Sequence, residues 1–448
     1  MGENQDSFFS LLHLIKERKF KGYTGMAVKN GLFQFSTTLA GKVGSIIFTI
    51  IIARLLMPEL FGLYSLALST VVLFTAFADL GIQQTTIMFV SKFLGKNKLK
   101  KAKNYSAYLL KIKIFLVLGV TILLALLSKF LAEAFFQKPV FLALVSGGFF
   151  IISLSFINFI EGLFQASNNF KPILLKEIFF QIARLILVPA TIILSLKYSV
   201  SLELNVFLIM FSVSLTYFLS LIFIFFLMKK KITFLNEKKE NLPEVEKKHI
   251  KGFIIPLSAT ALSAIVFGYV DILMLGGYVL AEFIGYYRAA FSLMTSAAAL
   301  ITFSFVMFPI FSRLKGGKLK EMLKKSIRVT IFFSLMGIIG TLLLAPYIVQ
   351  IVFGRDYILA TDVLRILSLL LLSGPLTTMH TSYLISISKQ KIVAKFLVVA
   401  VLLNVILNYF FIVWTLEYGY YYSVLGVAVA TVISRFFYLG CLMAVSKK

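Results

Sequence analysis

Long apolar stretches recur along the whole chain and are separated by short segments rich in lysine. A stretch of about 20 apolar residues can cross a hydrocarbon core of roughly 30 Å as a helix. The pattern therefore predicts an all-α polytopic membrane protein with about 12 transmembrane helices. The predicted spans are 30–55, 62–91, 105–129, 139–163, 172–197, 204–228, 252–280, 283–312, 326–349, 361–387, 391–414 and 421–445.

The charged segment 229–251 follows the sixth span and divides the predicted helices into two sets of six. The first bundle is 30–228 and the second is 252–445, with a cytosolic segment 1–29 before them and a tail 446–448 after them. Because six is an even number, both bundles enter the membrane from the same side. We therefore predict two parallel six-helix repeats around a central cavity.

A repeated motif supports this division. PELFGLYSLALS (58–69) and AEFIGYYRAAFS (281–292) share Glu, Gly, Tyr, Ala and Ser at one constant offset. Each copy lies in the turn between the first two spans of its half. Pro58 cannot continue the preceding helix, and Gly62 and Gly285 permit a tight turn or close helix packing. We interpret the motif as a structural turn and not as a binding site.

The composition agrees with a membrane protein, because 59% of the residues are hydrophobic and only 14% are charged. The net charge of +26 would suit a nucleic-acid partner, but most of the 45 Lys and Arg fall on one side of the predicted spans. This asymmetry is the positive-inside signal. It predicts a multi-pass protein of the cytoplasmic membrane with both termini in the cytosol and no nucleic-acid partner.

Three segments carry a family resemblance: ARLLMPELFGLYSLAL, FADLGIQQT and YVDILMLGGYVLAEFIGYYRAA. They resemble the polysaccharide biosynthesis flippase family, which includes the Wzx-type exporters of lipid-linked O-antigen units. This family belongs to the multidrug/oligosaccharidyl-lipid/polysaccharide exporter superfamily, with the MATE drug antiporters and the MurJ lipid II flippases. MurJ-like members carry two more spans than we predict here, which disfavours a peptidoglycan precursor as the cargo.

The resemblance implies an alternating-access flippase and not an enzyme. Its expected cargo is an oligosaccharide linked to polyprenyl phosphate or pyrophosphate, moved from the cytosolic to the outer leaflet for surface glycan assembly. The expected partners are this lipid-linked oligosaccharide, membrane lipids and glycan-assembly machinery. We predict a monomer.

Charged side chains inside the predicted spans are the main candidates for function, because a charge at the bilayer centre is costly. Lys42, Arg184, Arg288 and Arg435 are the candidate binding residues for an anionic headgroup. Asp79 and Asp271 either hold these cations in the empty site or bind a coupling H⁺ or Na⁺. Counting residues along the helices predicts the pairs Lys42–Asp79 and Asp271–Arg288. The alternative is that these charges only lock helices together.

Polar side chains within the spans are candidates for a sugar-facing surface. They are Gln83, Gln84, Asn158, Gln181, Asn404 and Asn408. The alternative is that they form hydrogen bonds between helices. Glu161 and Glu177 fall near inner helix ends, where we expect them to be solvated.

Two other functional classes, an enzyme and a drug antiporter, compete with the flippase interpretation. The three histidines are scattered, and no phosphate-binding G-x-x-x-x-G-K-[ST] motif occurs, so we predict no metal, no cofactor and no ATP hydrolysis. The second class is a MATE-type, cation-coupled multidrug antiporter. Its cationic drugs favour an acidic cavity, whereas basic candidates outnumber acidic ones in these spans, which suits an anionic cargo better.

Overall fold

The computed structural model of the protein describes residues 22–238, 240–301 and 317–447. Every regular element in these ranges is helical. The helices are α1 (Gly22–Asp79), α2 (Ile82–Leu94), α3 (Leu99–Lys129), α4 (Phe141–Ala166), α5 (Lys171–Lys197), α6 (Leu202–Lys231), α7 (Glu244–Gly276), α8 (Ala281–Ile301), α9 (Gly317–Val352), α10 (Ala360–Leu367), α11 (Leu370–Ser386), α12 (Gln390–Thr415) and α13 (Tyr420–Lys447). A π-helical turn, Phe130–Phe136, extends α3, and 3₁₀ turns lie at Thr233–Asn236, Arg355–Tyr357 and Leu416–Tyr418.

Ten helical segments within the described residues are long and apolar enough to cross a membrane. One of them, Lys29–Leu94, has 66 residues and contains both of the first two predicted spans. The multi-pass all-α prediction is therefore confirmed. The count of twelve transmembrane helices and the internal repeat stay predictions. Residues 302–312 of the predicted span 283–312 lie outside the described residues.

The first predicted span and most of the second lie in one helix, α1, which is kinked at Met57, where φ is 58° and ψ is 170°. Pro58 follows at once and lacks the backbone N–H that a continuous helix would use. A second break separates α1 from α2, where Leu80 and Gly81 adopt positive φ values of 43° and 74°. The predicted linker 229–251 is partly helical, because α6 continues to Lys231 and α7 begins at Glu244.

The two ends of the bundle differ in charge and in packing. We call the end at turns 137–140, 277–280 and 353–359 the lysine-poor end. We call the end at turns 95–98, 167–170, 232–243 and 387–389 the lysine-rich end. At the lysine-poor end one apolar core joins both halves, from Phe61 and Leu66 to Tyr287 and Tyr357. At the lysine-rich end each half has a core of its own.

The start of α7 is the exception, because it packs on the first half at the lysine-rich end. The ring of Phe253 lies 5.6 Å from that of Phe89, and the Ser258 hydroxyl donates to the Leu80 carbonyl at 3.0 Å. The other second-half helices diverge from the first half there. A shared core at one end and separate cores at the other leave space between the halves.

The repeated motif forms a reciprocal contact at the lysine-poor end. A Cβ at Gly62 would overlap the carbonyl oxygen of Ala281, and a Cβ at Gly285 would overlap the carbonyl oxygen of Pro58. Pro58 and Ala281 occupy the same place in the two copies of the motif. Reciprocal contacts of this kind are what a two-fold axis produces. Both glycines are thus required for close approach of the two halves.

Candidate functional site

A cavity of about 400 Å³ lies between the two halves, and we call it the central cavity. Lys42 of α1 lines it from the first half, and Arg435 of α13 lines it from the second. The remaining lining residues come from the second half: Ala264, Phe267, Thr295, Ala298, Ala299, Leu370, Ser373, Gly374, Thr377, Thr378, Leu397 and Tyr438. The cavity therefore combines two cations with apolar, aromatic and hydroxyl groups.

The two cations are held differently. Arg435 donates from Nη2 to the Phe267 carbonyl at 2.9 Å, and its guanidinium lies 4.2 Å from the centre of the Phe267 ring. Its Nε is buried and has no hydrogen-bond partner among the described residues. Lys42 is exposed to the cavity, and no carboxylate of the described residues lies within ion-pair distance of it. Both cations thus keep unused capacity for an anion.

Asp271 lies close to this cavity, in a cage of neutral groups. Asp271 is only 2% exposed. Tyr287 donates to Oδ2 at 2.6 Å, Asn408 donates to Oδ1 at 2.7 Å, and the Thr431 hydroxyl lies 2.9 Å from Oδ2. Among the described residues, no lysine or arginine forms an ion pair with Asp271.

Unpaired amide groups adjoin this cage. Both side-chain polar atoms of Asn404 and the Oδ1 of Asn408 are buried without hydrogen-bond partners in the described structure. Each of the two residues is 0% exposed. Buried polar atoms are normally hydrogen-bonded, so an unsatisfied group of this kind indicates capacity to bind a water or an ion. The Asp271 carboxylate and the amide oxygen of Asn408 are ligand types that suit a small hard cation.

A second polar cavity of about 210 Å³ lies inside the first half, and we call it the first-half cavity. Lys176 bridges two carboxylates there, at 2.7 Å from Glu161 and 3.0 Å from Glu177. Gln181 donates from Nε2 to Glu177 at 2.6 Å. Arg184 in turn donates to the amide oxygen of Gln181 at 2.6 Å. The expectation that Glu161 and Glu177 are solvated is therefore wrong, because each is held by Lys176.

Arg184 belongs to this network and not to the central cavity. Its guanidinium lies 4.2 Å from the ring centre of Phe48 and 4.9 Å from that of Phe180. Asn158 and Gln181 line the first-half cavity with it. Two of the six polar side chains predicted to face sugar thus lie on the wall of the first-half cavity. Arg184 lies there too, and so it does not share a cavity with Lys42 and Arg435.

The predicted Lys42–Asp79 pair is wrong. Asp79 instead pairs with Lys113 of α3, whose side chain is completely buried. Counting residues along a helix fixes the height of a side chain in the membrane but not its direction around the helix axis. Lys42 points into the central cavity, while Asp79, at the end of α1, points into the first half.

The predicted Asp271–Arg288 pair is also wrong. The neighbour of Arg288, Tyr287, contacts Asp271, while the Arg288 guanidinium lies 5.6 Å from the ring centre of Tyr269. One residue along a helix is a rotation of about 100°, which is enough to turn Arg288 away from the carboxylate. The partner of Asp271 is therefore the tyrosine of the repeated motif.

The other predicted sugar-facing residues lie elsewhere. Asn404 and Asn408 are fully buried, and Asn408 contacts Asp271, so neither presents a surface to sugar. Gln83 packs against Gly162 of α4, and Gln84 is exposed and lines neither cavity. For Asn408 the alternative of an interhelical contact is confirmed, since its amide joins α12 to α7.

Sequence reasoning overlooks four residues that build these sites: Lys113, Lys176, Tyr287 and Thr431. A signal exists for Lys113, because a lysine in the middle of an apolar span needs a partner. Tyr287 lies in the repeated motif, which on sequence alone is interpreted only as a structural turn. The sequence contains no comparable signal for Lys176 and Thr431, since lysines near helix ends and threonines within spans are common.

Comparisons with known proteins agree with this architecture. A family model described as "Polysaccharide biosynthesis protein" matches residues 27–315, which is well over half of the chain. The chain belongs to this family. None of the curated protein sequences compared with it matches significantly.

Several solved structures share the fold. The lipid II flippase MurJ in an inward closed conformation has a TM-score of 0.67 and 18% identity, covering 93% of this chain and 87% of that one. An inward-facing MATE multidrug resistance transporter of the MOP superfamily has a TM-score of 0.66 and 15% identity, covering 91% and 95%. A MOP superfamily transporter from Pyrococcus furiosus, described by the reverse polarity of its binding pocket, has a TM-score of 0.53 and 14% identity, covering 95% and 96%. Identities this low establish a common fold and nothing finer.

Proposed function

We propose that the protein is an alternating-access flippase for an oligosaccharide linked to polyprenyl phosphate or pyrophosphate. The observation that carries this proposal is the pairing of Lys42 and Arg435 across one cavity, one cation from each half. An anionic headgroup placed between them gains attraction from both, and the low dielectric of the surrounding helices strengthens it. Family membership supports the same class of cargo.

The arrangement of the two ends supports a loading state open toward the cytosol. By the positive-inside rule the lysine-rich end faces the cytosol, with both termini there. The central cavity lies between the halves, and the halves share one core only at the lysine-poor end. Cargo would enter with its headgroup between the halves and its lipid tail in the bilayer. Rocking of the halves would then expose the headgroup to the outer leaflet.

The lysine-poor end is closed by hydrogen bonds from one half to helix ends of the other. Arg54 donates to the carbonyls of Ile351 and Val352 at the end of α9. Lys138 donates to the Gly276 carbonyl at the end of α7, at 2.6 Å, and Tyr357 donates to the Ala53 carbonyl at 2.8 Å. Carbonyls at a helix C-terminus attract cations such as the Arg54 guanidinium. We propose that these contacts break in the outward-open state.

Asp271 is the proposed site for a coupling H⁺ or Na⁺. Its cage supplies neutral donors, and no lysine or arginine of the described residues lies within ion-pair distance of the carboxylate. The Arg435 guanidinium interacts with it only over a longer distance, so a mobile cation can still neutralise Asp271. Arg435 and Thr431 both lie on α13, and Thr431 contacts Asp271. Neutralisation of Asp271 can therefore change the position or the electrostatic environment of Arg435, which lines the central cavity. Asp79, in contrast, is neutralised by Lys113, and we do not propose it for coupling.

Deletion of the protein followed by analysis of lipid-linked glycans tests the proposal. A flippase deletion should make lipid-linked oligosaccharide accumulate on the cytosolic leaflet. Unchanged glycans with new sensitivity to cationic drugs would instead support the MATE-type antiporter. The two cations of the central cavity repel a cationic drug, so the flippase is the better-supported function.

The remaining partners follow from this role. The cargo and the membrane lipids contact the protein directly, and glycan-assembly machinery would receive the cargo on the outer side of the cytoplasmic membrane. We propose that a single chain transports the cargo, because both cations of the central cavity come from one chain.

A further inference from the structure

A lipid-facing groove of about 680 Å³ lies on the first half, and we call it the lateral groove. Its walls are α3 and α6, and α4 forms its floor. Large apolar side chains remain open to the outside along it: Ile114 is 40% exposed, Phe225 39% and Phe226 65%. The lateral groove shares no lining residue with the central or the first-half cavity.

The chemistry of the walls suits hydrocarbon. Apart from Lys103, the only polar lining side chain is Ser106, and its hydroxyl donates to the Ala102 carbonyl at 2.8 Å. Apart from the ammonium of Lys103, the described walls of the groove thus offer no free hydrogen-bonding group to a sugar. On α3 it extends from Lys103 to Ile114, about 16 Å along the helix at 1.5 Å per residue. This length matches one leaflet, half of a hydrocarbon core of roughly 30 Å.

The mouth of the lateral groove is cationic. Lys103 donates to the Leu235 carbonyl at 2.5 Å, and the Lys229 ammonium lies 4.8 Å from the ring centre of Phe225. Neither lysine has a carboxylate partner within the described residues, whereas their neighbour Lys101 pairs with Glu246 at 3.0 Å. Two ammonium groups with free hydrogen-bonding capacity therefore lie where the phosphate of a lipid in this leaflet would be.

We infer that the lateral groove binds one anionic phospholipid, with an acyl chain along α4 and its phosphate between Lys103 and Lys229. An acyl chain is one leaflet long, as the groove is, whereas a polyprenyl chain is longer. The floor helix α4 also separates the groove from the polar first-half cavity, which Asn158 and Glu161 line from its other face. The bound lipid is thus a resident of the protein and not its cargo.

Native mass spectrometry of the full-length protein in detergent tests this site, with phosphatidylglycerol or phosphatidylcholine added. Wild-type protein should retain one phosphatidylglycerol in preference to phosphatidylcholine. Lys103→Gln and Lys229→Gln should each weaken this binding about fivefold, since a lysine near an anionic lipid surface contributes about 1 kcal/mol. Lys129→Gln, at the other end of α3, is the matched control and should have no effect.

A second pair of variants tests the groove itself. Ala107 lines the groove and is partly exposed, so Ala107→Trp should fill it and abolish retention of the lipid. Ala125→Trp places the same ring on the lipid-facing surface of α3 outside the groove and should not. If Ala107→Trp does not fold, lipid retention by the Lys103→Gln and Lys229→Gln variants tests the inference on its own. Equal retention of both lipids, unchanged retention in Ala107→Trp, or preferential retention of polyprenyl phosphate would each overturn the inference.

Discussion

The two halves neutralise their buried carboxylates in different ways. In the first half Asp79 is paired with Lys113, and Glu161 and Glu177 share Lys176. In the second half the buried carboxylate of Asp271 has only neutral donors among the described residues. A lysine that is part of the chain cannot leave its carboxylate without a large cost, whereas a proton or metal ion can. We therefore propose that the buried charges of the first half are structural and that the charge of Asp271 in the second half is exchangeable.

The largest expected effect is on the stability of the first half. Asp79→Ala leaves the ammonium of Lys113 buried without a partner, which should destabilise the protein by about 3–5 kcal/mol. The measurement is the thermal unfolding midpoint in detergent. The double variant Asp79→Leu with Lys113→Met should recover most of the loss, because it removes both charges.

A matched control for this prediction is the exposed pair Lys101–Glu246. Lys101→Ala should cost about 0–1 kcal/mol, as for other surface ion pairs. If Asp79→Ala is as mild as Lys101→Ala, Lys113 has another way to be neutralised and the comparison between the halves is broken.

The second prediction concerns transport. Asp271→Asn keeps the shape of the side chain and removes its charge, so the folded protein should persist. Transport in reconstituted vesicles should fall at least about tenfold, and any dependence on an H⁺ or Na⁺ gradient should disappear, because the carboxylate can no longer be charged and then neutralised. Asp356→Asn, at an exposed position of the lysine-poor end, should transport normally. Retained gradient dependence in Asp271→Asn would remove this residue from the coupling role.

The third prediction concerns the reciprocal contact of the halves. Gly62→Ala and Gly285→Ala should each destabilise the closed lysine-poor end by about 1–3 kcal/mol, the usual cost of overpacking. Gly340→Ala is the control, because a Cβ there meets nothing within 4 Å. Thermal unfolding of the three variants measures the difference. Equal midpoints for Gly62→Ala and Gly340→Ala would show that this contact does not hold the halves together.

Much of the fold could be predicted from the sequence, because apolar length alone identifies helices that cross a bilayer. The break at Leu80–Gly81 was not predicted, since an apolar run carries no mark of a local change in φ. For the site, apolar context correctly selected Lys42, Arg435 and Asp271 as buried or cavity-lining charges. It could not predict partners, because the direction of a side chain around its helix depends on packing with distant helices. Lys113 and Tyr287 became visible only when those helices were assembled.

The smallest expected effect is a pH dependence at the lysine-poor end. Burial lowers the pKa of Lys138 to about 8 from the ordinary 10.5, so protonation is penalised when this end is closed. The closed state then binds fewer protons than a state with Lys138 in water, and closure should strengthen severalfold as the pH rises from 8 toward 10. Below pH 8 the lysine is protonated in both states and little further change is expected.

Accessibility of a cysteine introduced near Gly276 to a membrane-impermeant reagent measures this closure. Lys138→Met should remove the pH dependence, since it leaves no titratable group at this position. Lys197→Met, at another helix end on the same side, should leave it unchanged. A dependence that survives in Lys138→Met would have to come from a different group.

The most direct test of the proposed cargo is transport by Lys42→Ala in vesicles that contain lipid-linked oligosaccharide extracted from the source cells. Lys42 lines the central cavity but makes no ion pair with the described residues, so its removal should spare folding. The control is Lys111→Ala, which removes an exposed lysine from a helix that does not line this cavity. We predict that Lys42→Ala is present in the membrane and folded but does not transport, while Lys111→Ala transports normally. Full transport by Lys42→Ala would contradict the assignment of the central cavity to an anionic headgroup.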